Sequence, residues 1–195
     1  MQQRIIGITG GIATGKSTVS EYLNTAYGLP ILDADIYARE ALTEDLIAAI
    51  ASRYGDRILR RDRTLDRAEL GRIIFQDAAE RQWLEAQIHP YVRQRLQAEA
   101  EQHQPSTVIM VVPLLFESGM QDLATETWVV TCKAEQQLER LMQRNHLSER
   151  EAKLRIASQM SLAQKIAIAD VVIDNSDSEA ELFKQIDAAM HIEKP

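Results

Sequence analysis

The chain has 195 residues, 45% of them hydrophobic, which is enough to bury the core of one domain that carries inserted segments. Its net charge of −7 excludes a general attraction to nucleic acid or to anionic membranes, because proteins that bind either concentrate Lys and Arg. The single cysteine, Cys132, excludes an internal disulfide and a multi-thiolate metal cage. Together with an N-terminal apolar run too short for a signal or membrane segment, it predicts a cytoplasmic protein.

A buried strand followed by a glycine-rich loop opens the chain. Residues 4–9 (RIIGIT) predict the strand and residues 16–27 (KSTVSEYLNTAY) predict a helix. Between them, Gly10 to Ser17 matches the spacing G-x-x-x-x-G-K-[ST] of a phosphate-binding loop, or P-loop. In such a loop the backbone N–H groups and the helix N-terminus point at phosphate, Lys16 meets the β and γ phosphates, and Ser17 holds Mg²⁺. The alternative is a glycine-rich turn before a helix-starting serine.

Two carboxylates follow the second predicted strand, residues 29–33, which we expect to adjoin the P-loop strand. Asp33 and Asp35 then lie at the carboxyl edge of the sheet, where open α/β sheets bind ligands, and strand alternation would point both side chains the same way. Either could accept a proton from an acceptor hydroxyl and help to hold Mg²⁺. The alternative is that both cap a helix starting at Ile36, with Asp35 as the N-cap.

Residues 34–104 predict a helical insert, because they are far longer than one crossover helix requires. Asp66 and Glu69 form a capping-box start for one of its helices. His89 and Pro90 predict a break or kink before the last of them.

Three further apolar runs, at 107–112, 127–132 and 170–174, complete five strands that are apolar throughout, as in a parallel sheet covered on both faces. The predicted fold is a three-layer α/β P-loop fold with its core at 1–33, 105–132 and 165–195.

Residues 133–164 predict a helical lid, with a capping box at Ser148 and Glu151. Three lid arginines could neutralise charge on a transferring phosphoryl group, or could simply form a solvated face: Arg140, Arg144 and Arg155.

Missing motifs separate the classes of P-loop protein. No glycine follows an Asp by three residues and no N-K-x-D is present, so the sequence lacks the motifs of a GTPase switch. The third strand does not end in the Asp typical of motor ATPases. A kinase is therefore favoured over a nucleotide-dependent regulator.

The order of motifs resembles the dephospho-CoA kinase family over almost the whole chain. The resemblance rests on GITGGIATGKSTV at 7–19, LDADIYAR at 32–39, LDRAELGRIIF at 65–75, HPYVR at 89–93, VPLLFESG at 112–119, QLERLMQRNHLS at 137–148 and RIASQMSLAQKIAIADVVIDNSDS at 155–178. It implies phosphorylation of the 3′-hydroxyl of dephospho-CoA by ATP with Mg²⁺, giving CoA and ADP. It also implies that 34–104 binds CoA and that the enzyme is a monomer or a small homo-oligomer. A kinase of another nucleoside or small alcohol is the alternative.

The resemblance also implies roles for individual residues. Asp33 would be the base, with Lys16 and Arg140 as the other catalytic side chains. The ATP site would take Gly11, Ile12, Ala13, Thr14, Gly15, Lys16, Ser17, Thr18, Arg140 and Asn175, the last meeting adenine. The dephospho-CoA site would take Thr9, Asp33, Asp35, Arg39, His89, Arg93, Pro113, Leu114 and Glu117.

The chain departs from the family pattern at three places. Asn145–His146 replaces a common Asp-Gly turn in the lid, and Asp177 replaces a frequent glycine. Ala13 stands where a second loop glycine is usual, and its Cβ predicts that position 13 keeps a negative φ.

Overall fold

The computed structural model describes residues 3–104 and 106–191. Five strands form one parallel sheet: β1 Ile5–Gly10, β2 Ile31–Asp33, β3 Val108–Val111, β4 Glu126–Thr131 and β5 Val171–Asp174. Each strand falls within two residues of its predicted apolar run, which confirms the α/β fold class. Since all five strands are parallel, their carboxyl ends meet at one edge of the sheet.

The strand order is β2-β3-β1-β4-β5. Ile8 of β1 pairs with Val111 of β3, and Val111 in turn pairs with Asp33 of β2. The expectation that β2 adjoins the P-loop strand is therefore wrong: β3 lies between them, because the chain returns from the long insert into the position beside β1.

Nine α-helices occur in the described residues: α1 Lys16–Tyr27, α2 Ala34–Glu40, α3 Glu44–Tyr54, α4 Arg67–Gln76, α5 Ala78–Gln102, α6 Ala134–Asn145, α7 Glu149–Ala157, α8 Leu162–Ala167 and α9 Glu179–Met190. Two short 3-10 helices span Asp56–Ile58 and Gln121–Leu123. Helices α1 and α9 bury Leu23 and Ile186 in the same core as the sheet residues Ile8 and Trp128. No helix in the described part of the chain is both long enough and apolar enough to cross a membrane.

The chain divides into two compact units. The first unit contains Met1–Ala34 and Gln97–Pro195 and therefore holds the whole sheet, whereas the second contains Asp35–Leu96. The second unit has its own core, in which Ile50, Ile58 and Leu84 are buried. The assignment of 34–104 to CoA binding and of 133–164 to a lid stays a prediction.

Two local predictions for the helices have opposite outcomes. Asp66 is the N-cap of α4, and its side chain accepts from the N–H groups of Ala68 and Glu69. Of the break or kink predicted at His89–Pro90, the break is wrong, since α5 continues through Pro90 to Gln102, and the kink stays a prediction. A proline removes one hydrogen bond from a helix, but Leu84, Val92 and Leu96 are buried on either side of it, and this packing supports the helix through that point.

Candidate active site

The glycine-rich loop connects the end of β1 at Gly10 to the start of α1 at Lys16. Gly10 and Gly15 have φ values of 152° and 102°, which residues with a Cβ rarely adopt. A Cβ at Gly15 would lie 2.0 Å from Nδ2 of Asn175. Both glycines are therefore required by the loop's shape and by the side chain that closes over it.

Ala13 also has a positive φ, 61°, so the prediction of a negative φ at this position is wrong. For an alanine the left-handed region costs about 1–2 kcal/mol through the clash of Cβ with the backbone. The same conformation occurs at His146, where φ is 52° and the residue ends α6. In both cases a residue with a side chain takes the conformation that glycine adopts more easily.

Two glutamine side chains hold the peptide groups beside Ala13. Gln137 of α6 donates from Nε2 to the carbonyl of Ile12 at 2.8 Å, and Oε1 of Gln159 accepts from the Ile12 N–H at 2.9 Å. Gln137 is buried. These contacts compensate the strain at Ala13 with hydrogen bonds to its preceding residue. Sequence analysis missed both glutamines, since no motif spacing distinguishes them from the other polar residues of the segment.

Within the loop, Thr14 is fully buried and its hydroxyl donates to the carbonyl of Gly11 at 2.9 Å. The ammonium of Lys16 donates to the carbonyls of Gly11 at 2.8 Å and Gly10 at 3.4 Å. The Lys16 charge is thus held at the mouth of the loop, beside the N-terminus of α1, and both features favour an anion there.

Ser17 and Thr18 follow Lys16 in the first turn of α1, and Ser17 is exposed. No group of three or more His, Cys, Asp or Glu side chains in the described ranges is arranged to hold a metal ion. An exposed hydroxyl next to a phosphate site fits Mg²⁺, which binds through few protein ligands together with water and substrate phosphates.

Asp33 is the last residue of β2, at the carboxyl edge of the sheet. With β3 between β2 and β1, the strand spacing puts Asp33 roughly 10 Å across the sheet from β1. The helix after this strand begins at Ala34, not at Ile36, so Asp35 lies inside its first turn and is not the N-cap. Strand alternation therefore does not relate the two carboxylates, and only Asp33 ends a strand of the sheet.

The loop after β3 follows the strand that lies between β2 and β1, on the same side of β1 as Asp33. The hydroxyl of Thr9, a buried residue of β1, donates to the carbonyl of Pro113 at 3.1 Å. Leu114 is half-buried next to it. Further along, the Glu117 carboxylate contacts the ammonium of Lys165 at 2.9 Å. Thr9, Pro113 and Glu117 thus form one connected region beside the P-loop.

Arg140 and Asn175 come together beside the P-loop, where Asn175 directly follows β5. A guanidinium nitrogen of Arg140 donates to the carbonyl of Asn175 at 3.2 Å, and Nδ2 of Asn175 donates to the carbonyl of Thr14 at 2.9 Å. The amide of Asn175 therefore contacts the P-loop itself; its predicted contact with adenine stays a prediction. Burial raises the pKa of the nearby Cys132 thiol, with Arg140 acting in the opposite direction, as expected of an inert core cysteine.

The other two arginines of the predicted lid, Arg144 and Arg155, differ from Arg140 in their surroundings. Arg144 is exposed and its Nε donates to the side chain of Asn145 at 2.9 Å. Arg155 is half-buried on α7, whose N-terminus carries the predicted capping box of Ser148 and Glu151. Arg140 contacts Asn175, which is itself bonded to the P-loop.

The remaining predicted site residues belong to the second unit. Arg39 is exposed near the end of α2. His89 and Arg93 are half-buried and lie four residues apart on α5, hence on one face of that helix. Their part in substrate binding, like that of Asp35, stays a prediction.

Comparison with known proteins identifies relatives along nearly the whole chain. The family model described as dephospho-CoA kinase matches residues 4–181. The curated dephospho-CoA kinase of Trichormus variabilis is 57% identical over 99% of this chain and all of its own. Among solved structures, a Thermus thermophilus protein matches with a TM-score of 0.82 and 34% identity over 97% of each chain. The dephospho-CoA kinase of Campylobacter jejuni matches with a TM-score of 0.71 and 29% identity over 97% of this chain and 96% of its own. A P-loop at the carboxyl edge of a five-stranded parallel sheet, together with a family match along nearly the whole sequence, leads to one conclusion: this chain is a member of the dephospho-CoA kinase family.

Proposed function

We propose that the protein transfers the γ-phosphoryl group of ATP to the 3′-hydroxyl of dephospho-CoA, giving CoA and ADP. The observation that carries this proposal is the P-loop between β1 and α1, in a chain that matches the family model over residues 4–181. The proposal includes Mg²⁺ as the partner of ATP, a cytoplasmic location, and a monomer or small homo-oligomer.

On the donor side, N–H groups within residues 11–18 bind the phosphates, except that of Ile12, which donates to Gln159. The Lys16 ammonium neutralises charge between the β and γ phosphates. The Lys16 contacts with the carbonyls of Gly10 and Gly11 support this role, because they hold the ammonium at the loop. Mg²⁺ bound beside Ser17 supplies further neutralisation of the triphosphate when it is present.

On the acceptor side, Asp33 accepts the proton of the 3′-hydroxyl as the hydroxyl oxygen forms its bond to the γ-phosphorus. The bond from that phosphorus to the β–γ bridging oxygen breaks, and ADP leaves with the electron pair. The position of Asp33 at the carboxyl end of β2 supports this assignment, since ligands of open α/β sheets bind at that edge.

Arg140 contributes positive charge to the same step from the lid. Its contact with the Asn175 carbonyl, next to the side chain that binds the P-loop, supports this role. Among the residues that the family resemblance implies for the acceptor, those of the first unit are Thr9, Pro113, Leu114 and Glu117. The assignment of Asp35, Arg39, His89 and Arg93 to acceptor binding stays a prediction.

The test is to supply the purified protein with ATP, Mg²⁺ and one acceptor at a time, and to measure ADP release together with the phosphorylated product. We expect turnover with dephospho-CoA and none with adenosine or shikimate. Turnover of another nucleoside or alcohol without turnover of dephospho-CoA would refute the acceptor, and ATP hydrolysis without any acceptor product would refute the kinase.

A further inference from the structure

The side chain of Lys165 is completely buried, with an exposed fraction of 0%. It belongs to α8, the short helix that precedes β5 in the chain. A lysine charge is rarely removed from water unless it is paired, because its desolvation costs several kcal/mol. The steps proposed above do not use this residue, so its burial requires another explanation.

Three oxygen atoms surround the Lys165 ammonium. It lies 2.9 Å from Oε1 of Glu117, 3.2 Å from the carbonyl of Pro113 and 3.5 Å from the carbonyl of Gly10. An ammonium has three N–H donors, and three oxygens satisfy them. These oxygens come from the loop after β3 and from the first residue of the P-loop, so one buried cation joins the two.

The carbonyl of Gly10 is shared by two lysines. The ammonium of Lys16 lies 3.4 Å from the same oxygen that Lys165 contacts at 3.5 Å. Lys165 therefore places a second positive charge close to the one that is expected to meet the β and γ phosphates. In a region with little water, such a fixed charge acts on an anion more strongly than a surface charge does.

The same carboxylate also fixes the base of the lid. Oε1 of Glu117 accepts from the N–H of Met160 at 3.0 Å, and Met160 directly precedes the capping box that starts α8 at Ser161. One residue earlier, Gln159 binds the Ile12 N–H of the P-loop. The segment from Gln159 to Lys165 thus connects the end of the lid to both the P-loop and Glu117.

We propose that Lys165 is a positioning residue for phosphoryl transfer. It holds Glu117 and the first carbonyl of the P-loop in place and adds fixed positive charge behind the site of the triphosphate. This inference rests on the proposed function, because it assumes that the loop binds a nucleotide whose phosphates are the reacting groups.

The test compares Lys165→Met with Lys153→Met. Lys153 is an exposed lysine of α7 that pairs with Glu149, and it serves as the control for loss of one positive charge. Dissociation constants for ATP, ADP and AMP are measured by titration calorimetry, and kcat and KM by ADP release. We expect Lys165→Met to weaken the binding of ATP at least tenfold and the binding of AMP by much less, because a charge near the β and γ phosphates acts on groups that AMP lacks. Lys153→Met should match the wild type.

A double variant, Lys165→Met with Glu117→Gln, separates positioning from simple pairing with the Glu117 carboxylate, whose side chain is 23% exposed. It leaves no unpaired carboxylate beside the substituted position, so we expect it to recover any melting temperature that this carboxylate costs Lys165→Met, without restoring the affinity for ATP. It also decides the question if Lys165→Met alone does not fold.

Three results would overturn the inference. The double variant could bind ATP with wild-type affinity, or Lys165→Met could weaken the binding of ATP and of AMP equally. Failure of both variants to fold would assign Lys165 to stability alone. The proposed function is tested separately, since it fails only if the wild-type protein does not phosphorylate dephospho-CoA.

Discussion

Replacing Ala13 with glycine should stabilise the protein, although the same replacement destabilises most positions. Ala13 has a φ of 61°, which costs alanine about 1–2 kcal/mol and costs glycine nothing. Glycine in turn loses about 0.5–1 kcal/mol more conformational entropy on folding than alanine. The difference between these two costs is about 0–1.5 kcal/mol, and we expect Ala13→Gly to raise the free energy of unfolding by an amount near the middle of that range.

The matched control is Ala188→Gly, an exposed position of α9 in the same unit. There the helical backbone suits alanine, and we expect a loss of about 0.5–1 kcal/mol. The two substitutions remove the same methyl group and should change stability in opposite directions.

The assay is urea unfolding followed by tryptophan fluorescence in a Trp83→Phe background. The remaining tryptophan, Trp128, is fully buried in the core of the first unit and so reports on the unit that contains Ala13. Equal slopes with urea in the variants and the parent would show that the compared free energies refer to the same transition. A lower midpoint for Ala13→Gly than for its parent would refute the account of strain at this position.

Four further predictions concern the site and the pH range of stability. Gln137→Ala should raise KM for ATP about fivefold, because it removes one hydrogen bond worth about 1 kcal/mol. The increase in KM should be smaller in an Ala13→Gly background, and equal increases in both backgrounds would show that Gln137 does not act through the strain at Ala13. Asp33→Asn should lower kcat by about 100-fold or more while the Kd for ATP hardly changes, and unchanged kcat would remove Asp33 from the role of base. A hydrogen bond from Arg53 lowers the pKa of the Glu80 carboxyl to about 2, so the stability that this pair contributes at neutral pH is lost as pH falls from about 4.5 to 2. In Glu80→Gln the midpoint of urea unfolding should therefore depend less on pH over that range. A hydrogen bond to Asp187 raises the pKa of Tyr27 to about 12, so the stability that this hydrogen bond contributes is lost as pH rises from 10 to 12. Over that range the midpoint of urea unfolding should decline less for Tyr27→Phe than for the parent protein.

The strands and the P-loop could be predicted from sequence because their signals are local. A buried parallel strand is apolar along its whole length, and the residues of the P-loop are contiguous. The same reasoning identified the capping residues Asp66 and Ser148, whose partners lie within three positions.

The features that were missed depend on distant contacts. Ala13 adopts a positive φ because Gln137 and Gln159, more than a hundred residues away, bind the neighbouring peptide groups. Pro90 remains inside α5 because buried side chains on both sides support the helix. The position of β3 between β2 and β1 likewise follows from pairing across the sheet, and no local pattern encodes it.

The adjacency of β2 and β3 has a consequence for how this enzyme family could diversify. Ile31 and Ile109 are paired neighbours in the sheet, although all of Asp35–Leu96 lies between them in the chain. The entropic cost of closing such an excursion grows by only about 0.6 kcal/mol for each doubling of its length. Evolution could therefore lengthen, shorten or exchange this segment while the strands keep their pairing, so that one sheet with its P-loop could be combined with many different inserted segments.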